Sequence, residues 1–88
     1  PLWMSEWGNW HLPKNAKSGR RQHHAMSYGR QIHDALTRYD ANAWCMWEPG
    51  NLFDFDDAGF NPRMAFHVVG HYSRFIRRGM ARIGVHDE

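Results

Sequence analysis

Two glutamates each end a short apolar segment of the chain. Glu6 lies near the end of PLWMSEW, residues 1 to 7, and Glu48 directly follows ANAWCMW, residues 41 to 47. If both segments are parallel strands, their carboxyl ends meet at the edge of a sheet where α/β barrels place catalytic carboxylates. Each glutamate is therefore a candidate for catalysis, with a structural or partly solvated acid as the alternative, and Glu6 is the stronger candidate.

The second segment also carries two tryptophans. Trp44 and Trp47 are three residues apart, so in a strand their side chains face opposite ways. One ring can lie in a core while the other lies in a cleft, where a flat aromatic surface stacks on a sugar ring. Burial is the commoner state of tryptophan, so the spacing alone leaves both roles open.

Histidines and arginines near the end of the chain suggest two further sites. His67 and His71 are one helical turn apart, but the zinc-protease pattern needs a glutamate where Val68 stands. Arg74 and Arg78 continue the same face, which makes it cationic, so we predict no metal there. A phosphate site on the arginines is possible in principle, but a solvated face is favoured because no aromatics are interleaved as in a nucleic-acid groove. The basic cluster comprises Arg74, Arg77, Arg78 and Arg82.

Helical periodicity indicates the elements that would support these groups. Residues 18 to 39 are predicted to form a helix with Ser18 as its cap, and its apolar face comprises Ala25, Tyr28, Ile32, Ala35, Leu36 and Tyr39. Asn61-Pro62 is predicted to start a second helix that Gly79 ends, and its face comprises Met64, Ala65, Val68, Val69, Tyr72, Phe75 and Ile76.

Three other segments are predicted to be strands: residues 1 to 7, residues 41 to 47 and MARIGV at 80 to 85, with EPGNLFDFDDAGF at 48 to 60 as a loop. The order strand, helix, strand, helix, strand favours parallel pairing through crossovers. Apolar parallel strands need cover on both faces. We therefore expect this chain, which starts without a methionine, to be a piece of a larger α/β protein.

Composition narrows the function classes. The 88 residues carry 11 basic and nine acidic side chains, a net charge of +2 that predicts no nucleic-acid partner. No segment reaches the roughly 18 apolar residues of a membrane span, so no membrane partner is predicted. The single cysteine, Cys45, excludes an intrachain disulfide and is expected to be a buried thiol.

Three motifs give this chain a specific resemblance. LWMSEWG at 2 to 8, NAWCMW at 42 to 47 and YSRFIRRGMARIGV at 72 to 85 resemble the end of the catalytic domain of glycoside hydrolase family 30. The third motif is the most specific, because it is similar to the passage from the last barrel helix into a side β-sandwich. The family's usual Arg-Pro-Gly turn is Arg77-Arg78-Gly79 here.

The resemblance implies an α/β fold, namely the C-terminal quarter of a (β/α)8 TIM barrel. Residues 1 to 7 would be strand 7, 41 to 48 strand 8 and 62 to 78 helix 8, with helix 7 between the strands. Residues 1 to 78 would thus hold the last two β/α units, and 79 to 88 the first strand of the appended sandwich.

The implied activity is retaining hydrolysis of a β-linked xylan, glucan or galactan, which needs no cofactor and no metal. Glu6 would be the nucleophile, Trp47 the floor of a sugar subsite, and Trp7 and Glu48 substrate contacts. The acid/base residue would lie on strand 4, outside this chain, so the segment alone should be inactive. Its partners would be the glycan and the remainder of its own barrel, in an extracellular or periplasmic protein. The acidic EPGNLFDFDD segment argues against uronate-bearing substrates.

Two other functions fit the same residues. An aromatic-rich, non-catalytic carbohydrate-binding or interaction module would use Glu6 only as a hydrogen-bonding group. A metal hydrolase would use His67 and His71, and it would require tightly bound stoichiometric zinc.

Overall fold

A computed structural model describes residues 2–8, 12–13, 15–47, 49–56 and 59–84 of the chain. Within them lie two helices and two separate two-stranded sheets. The elements are, in chain order, β1 (Trp3–Trp7), α1 (Ser18–Thr37), β2 (Ala43–Met46), a 3-10 turn (Pro49–Asn51), β3 (Phe53–Asp56), β4 (Gly59–Pro62) and α2 (Met64–Phe75).

The two predicted apolar strands pair in parallel, joined through α1. This confirms the strand, helix, strand order that the sequence predicts for residues 1 to 47. The backbone register aligns Trp3 with Ala43, Met4 with Trp44, and Trp7 with Met46. Parallel strands cannot be joined by a tight turn, and the 20-residue helix provides the long connection that they need.

The helix α1 packs on the sheet through its predicted apolar face. Ala25, Tyr28, Ile32 and Ala35 are buried, as expected. Tyr28 is fully buried, with its ring edge-on to Trp7 at 4.9 Å between centroids and to Trp44 at 6.4 Å. Edge-to-face contacts of this kind add about 0.5–1.5 kcal/mol each beyond the burial of area. These rings fix the sheet to the helix.

Both ends of α1 differ from the prediction. Lys17, not Ser18, is the N-cap, and Ser18 is the first helical residue. At the other end the helix stops at Thr37, and Asp40 adopts a left-handed φ of 50°. The chain therefore turns away from the helix before Tyr39 reaches the core, and Tyr39 is 65% exposed.

The second helix lies beside the first and runs in the same direction. Ala25 and Ala65 share one core cluster, while Gly29, one turn later on α1, lies against Val68 and Tyr72. Later residues of α1 thus lie against later residues of α2, which means that the two helices are parallel. Two parallel helices over a parallel strand pair are what repeated β/α units produce.

The segment after β2 corrects the prediction of a loop. It forms the 3-10 turn and an antiparallel hairpin in which Phe53 faces Pro62 and Asp54 faces Asn61. Apolar and acidic residues alternate over Phe53, Asp54 and Phe55, and this period-two pattern is typical of a strand. The aspartates and the glycine of this segment also favour turns, so the sequence pattern alone does not indicate a hairpin.

Arg63 joins this hairpin to α2. Its guanidinium is 5% exposed and donates two hydrogen bonds to Asp54 Oδ1, from Nε at 3.1 Å and from Nη2 at 2.6 Å. Its backbone N–H also donates to the Leu52 carbonyl at 2.7 Å. Arg63 has an extended backbone and is the N-cap of α2, without a capping hydrogen bond from its side chain. The predicted start at Asn61-Pro62 is wrong because both residues belong to β4.

The end of α2 and the residues beyond it also differ from the prediction. The helix ends at Phe75 instead of Arg78, so Phe75 and Ile76 are exposed, and Gly79 lies in a following turn with φ of 87°. Residues 80 to 84 form no strand, because no described strand lies beside them to complete a ladder. Residues 85 to 88 of the predicted sandwich strand lie outside the described part of the chain.

Arg82 was predicted to belong to a solvated basic face, but it makes defined contacts in this last segment. Its guanidinium donates to the carbonyls of Leu36 and Thr37 at the end of α1 and to Asp40 Oδ1 at 3.1 Å. A cation here satisfies helix carbonyls that have no partner within the helix and complements the helix dipole. The side chain of Arg82 is still 54% exposed, so it lies on a solvated face as expected and makes these contacts in addition.

Candidate functional site

A β-bulge in β1 determines where Glu6 lies. Between the pairs Met4 with Trp44 and Trp7 with Met46, β1 contains two residues, Ser5 and Glu6, while β2 contains only Cys45. Bulges are uncommon between parallel strands, and they change the direction in which a side chain at the bulge points. Glu6 thus lies at the irregular end of β1, one residue before the strand ends.

One side of the sheet is not covered by α1. Trp7, Trp44 and Met46 pack against the core cluster under α1. In the regular strand β2, Cys45 lies between Trp44 and Met46 and therefore faces away from α1, and Glu6 belongs to the bulge that lies opposite Cys45. Glu6 and Cys45, on opposite strands, are both exposed. The expected burial of the Cys45 thiol is therefore wrong for this structure, because no described element covers that face.

Trp47 lies at the same edge of the sheet as Glu6. It directly follows β2, and its indole is 54% exposed. Its backbone N–H donates to the Trp7 carbonyl at 2.8 Å, which continues the ladder between the two strands by one step. The two strand ends are thus held side by side, with a carboxylate on one and an exposed aromatic ring on the other.

The other two tryptophan positions are packing positions. Trp7 is half-buried between Tyr28 and Trp44, with ring centroids at 4.9 and 6.1 Å. Trp44 is half-buried on the same face, and its indole N–H is buried with no acceptor within the described residues. The opposite orientations predicted for Trp44 and Trp47 agree with this burial. The predicted contact of Trp7 with a substrate stays a prediction.

The second glutamate, Glu48, falls outside the described residues, so its predicted contact with the substrate stays a prediction.

The aspartates whose side chains the structure describes all have arginine partners. Asp54 pairs with Arg63 at 2.6 Å, Asp40 pairs with Arg82 at 3.1 Å, and Asp34 lies 3.6 Å from Arg38. Glu6 makes no such ion pair within the part of the chain described here. Among the described residues its carboxylate is exposed at the end of a strand and has no arginine or lysine partner.

The candidate metal ligands lie elsewhere. His67 and His71 are both exposed and, with His33 of α1, line a groove of about 660 Å³ between the two helices. Across the described ranges, no three histidine, cysteine or acidic side chains are placed so that they could hold one metal ion. Sequence periodicity gave no indication of this groove, because it depends on how closely α1 and α2 approach at Gly29.

Sequence reasoning also missed Gly8. A Cβ placed on Gly8 would lie 3.2 Å from Cβ of Trp47, so the chain after Glu6 passes directly against the exposed tryptophan. The Glu-Trp-Gly sequence is a signal that could have been used, because glycine after a strand often marks a close approach of backbone to another group.

Neither described helix is long and apolar enough to cross a lipid bilayer. No protein-family model, no curated protein and no solved structure matches this chain.

Proposed function

We propose that this chain supplies the last two β/α units of a (β/α)8 barrel in a retaining β-glycoside hydrolase, with Glu6 as the catalytic nucleophile. The observation that carries the proposal is the position of Glu6 and Trp47 at the ends of two adjacent parallel strands, both exposed at the carboxyl edge of the sheet. Barrel enzymes use this edge for chemistry. The parallel arrangement of α1 and α2 supports the same architecture.

Glu6 performs the first chemical step. Its carboxylate attacks the anomeric carbon of the sugar, the bond to the leaving oxygen breaks, and an acid residue donates a proton to that oxygen. Water then attacks the anomeric carbon of the glycosyl ester, the acid residue, now a base, accepts the proton of the water, and the bond from that carbon to the Glu6 oxygen breaks, which releases the free carboxylate. The nucleophile must be ionised and accessible, which suits an exposed carboxylate that has no arginine partner among the described residues. The acid/base lies about 5–5.5 Å away, on a barrel strand outside this chain.

Trp47 supports the sugar during this reaction. Its exposed indole offers a flat apolar surface next to the nucleophile, and the C–H face of a pyranose stacks on such a surface. The rest of the barrel covers the sheet face that carries Cys45 and leaves the carboxyl edge with Glu6 and Trp47 open to the substrate. The substrate is a β-linked glycan, and the chemistry uses neither metal nor cofactor.

The experiment uses the full-length protein that contains this chain, with β-xylans, β-glucans and β-galactans as substrates. Glu6→Gln should lower kcat by more than the roughly 10²–10³-fold that follows loss of one transition-state hydrogen bond. Ser5→Ala, at the other residue of the same bulge, which is also exposed, is the matched control and should retain activity. Equal activity of Glu6→Gln and Ser5→Ala would contradict the proposal.

Chemical rescue identifies the role of Glu6 more closely. In Glu6→Ala, added azide can attack the anomeric carbon of an aryl β-glycoside as the aryl oxide leaves, forming an α-glycosyl azide. An α-glycosyl azide is the product expected when the nucleophile has been removed. Removal of the acid/base residue would instead give the β-glycosyl azide. A folded full-length protein that binds glycans but hydrolyses none would instead support a non-catalytic carbohydrate-binding module.

A further inference from the structure

Gly8 passes unusually close to Trp47. An alanine Cβ at this position would lie 3.2 Å from Cβ, 3.6 Å from Cγ and 3.5 Å from Cδ1 of the tryptophan. Optimal carbon contacts are about 3.5–4.0 Å, so the Cβ contact is several tenths of an ångström too short. Gly19 and Gly50 differ, because a Cβ on either would meet no atom within 4 Å.

The backbone conformation does not itself require glycine at position 8. Its φ lies outside the left-handed region, which favours glycine, and Gly8 is exposed. The restriction therefore comes from Trp47. The backbone of Trp47 cannot move away from Gly8 without breaking a hydrogen bond, because its N–H donates to the carbonyl of Trp7, one residue before Gly8.

We propose that Gly8 is a positioning residue, which sets where the ring of Trp47 stands relative to the carboxylate of Glu6. The inference rests on the proposed function, in which Trp47 supports the sugar that Glu6 attacks. Any side chain at position 8 presses on the first atoms of the Trp47 side chain and displaces the ring. Because Gly8 has no side chain, the Trp47 ring keeps the position in which it can stack on the sugar.

The predicted effect falls on substrate binding. Relief of the short contact moves the Trp47 ring by a few tenths of an ångström and weakens its stacking on the sugar, in the ground state and the transition state alike. We therefore expect Gly8→Ala to raise KM about 3- to 10-fold, the order expected for partial loss of one aromatic contact with a ligand. The kcat should change less than twofold, because Gly8 does not touch the reacting atoms.

A double-mutant cycle in the full-length protein tests the inference. It compares the unaltered protein, Gly8→Ala, Trp47→Gly and the double variant, with Gly19→Ala as the matched control for adding a methyl group. Trp47→Gly removes the Cβ that the alanine would meet, so Gly8→Ala should have no further effect on KM in that background. The control should have the KM of the unaltered protein.

Each outcome has a distinct meaning. An unchanged KM in an active Gly8→Ala protein would overturn the role of Gly8 and leave the proposed function intact. An equal increase of KM with and without the Trp47 side chain would also overturn it. Gly8→Ala alone could fail to fold. In that case the double variant should be as stable as Trp47→Gly, because the contact that destabilises Gly8→Ala is then absent, and a less stable double variant contradicts the inference. An unaltered protein without hydrolytic activity overturns the proposed function together with the inference.

Discussion

The close approach of α1 and α2 predicts opposite effects for two glycine substitutions. Gly70 lies inside α2, where an added Cβ would meet no atom within 4 Å. Gly70→Ala should therefore raise the free energy of unfolding by about 0.8–1 kcal/mol, the difference in helix propensity between the two residues. At Gly29 the same Cβ would lie 3.1 Å from Cγ1 of Val68 and 3.8 Å from Cε2 of Tyr72.

Gly29→Ala should lower the free energy of unfolding despite its better helix propensity. Forcing a methyl group into a packed contact costs about 1–3 kcal/mol, against a gain of about 1 kcal/mol from propensity. The two alanine variants should thus differ by about 1–3 kcal/mol, the range of that overpacking cost. Both variants replace glycine by alanine inside a helix, so the gain in helix propensity is the same in both. Each variant therefore serves as the control for the other.

Urea unfolding followed by circular dichroism measures this difference. With m-values of about 1–3 kcal/mol/M, the midpoints of the two variants should be separated by several tenths of a molar or more. Equal stabilisation by both substitutions would refute the contact between Gly29 and Val68. The parallel packing of α1 and α2 that rests on that contact would then be wrong.

Two further predictions concern the hairpin and the uncovered face. Asp54→Ala should lower the free energy of unfolding by about 3 kcal/mol, because it leaves the buried Arg63 guanidinium without its carboxylate, and adding Arg63→Met should recover part of that loss in urea unfolding. A loss no larger than that of Asp34→Ala, whose arginine partner is exposed, would contradict a buried ion pair. Cys45 should react rapidly with a thiol reagent in this chain alone but slowly in the full-length protein, where the rest of the barrel would cover it. Equally rapid reaction in both would argue against the proposed barrel.

The parts of the fold that the sequence predicts well are those with strong local periodicity. The buried face of α1 follows from Ala25, Tyr28, Ile32 and Ala35 at helical spacing, and the parallel strand pair follows from two apolar segments on either side of a helix. In both cases the pattern in the sequence and the packing in the structure have the same physical cause, which is burial of one continuous apolar surface.

The features that were missed depend on contacts between residues distant in sequence. Arg63 is buried because Asp54 of the hairpin accepts its hydrogen bonds, and Arg82, although exposed, donates to carbonyls more than 40 residues earlier. No local pattern in the sequence reveals these long-range contacts. Similarly, Cys45 lies in an apolar run but is exposed, because burial of a strand depends on the elements that cover its second face.

The candidate site was predictable only in part. Glu6 and Trp47 could be proposed from their positions after apolar segments, but the bulge at Ser5 and Glu6 and the contact of Gly8 with Trp47 arise from how two strands pair. The register of parallel strands is not encoded in either strand by itself, so these details required the structure.

Covalent labelling of Glu6 tests the central claim most directly. The full-length protein would be treated with a 2-deoxy-2-fluoro-β-glycosyl fluoride, which slows hydrolysis of the glycosyl-enzyme, and peptides would be mapped by mass spectrometry. If Glu6 is the nucleophile, one sugar will be found on the peptide that contains Glu6, and Glu6→Gln will take up no label. An active enzyme labelled on a different carboxylate would contradict the account.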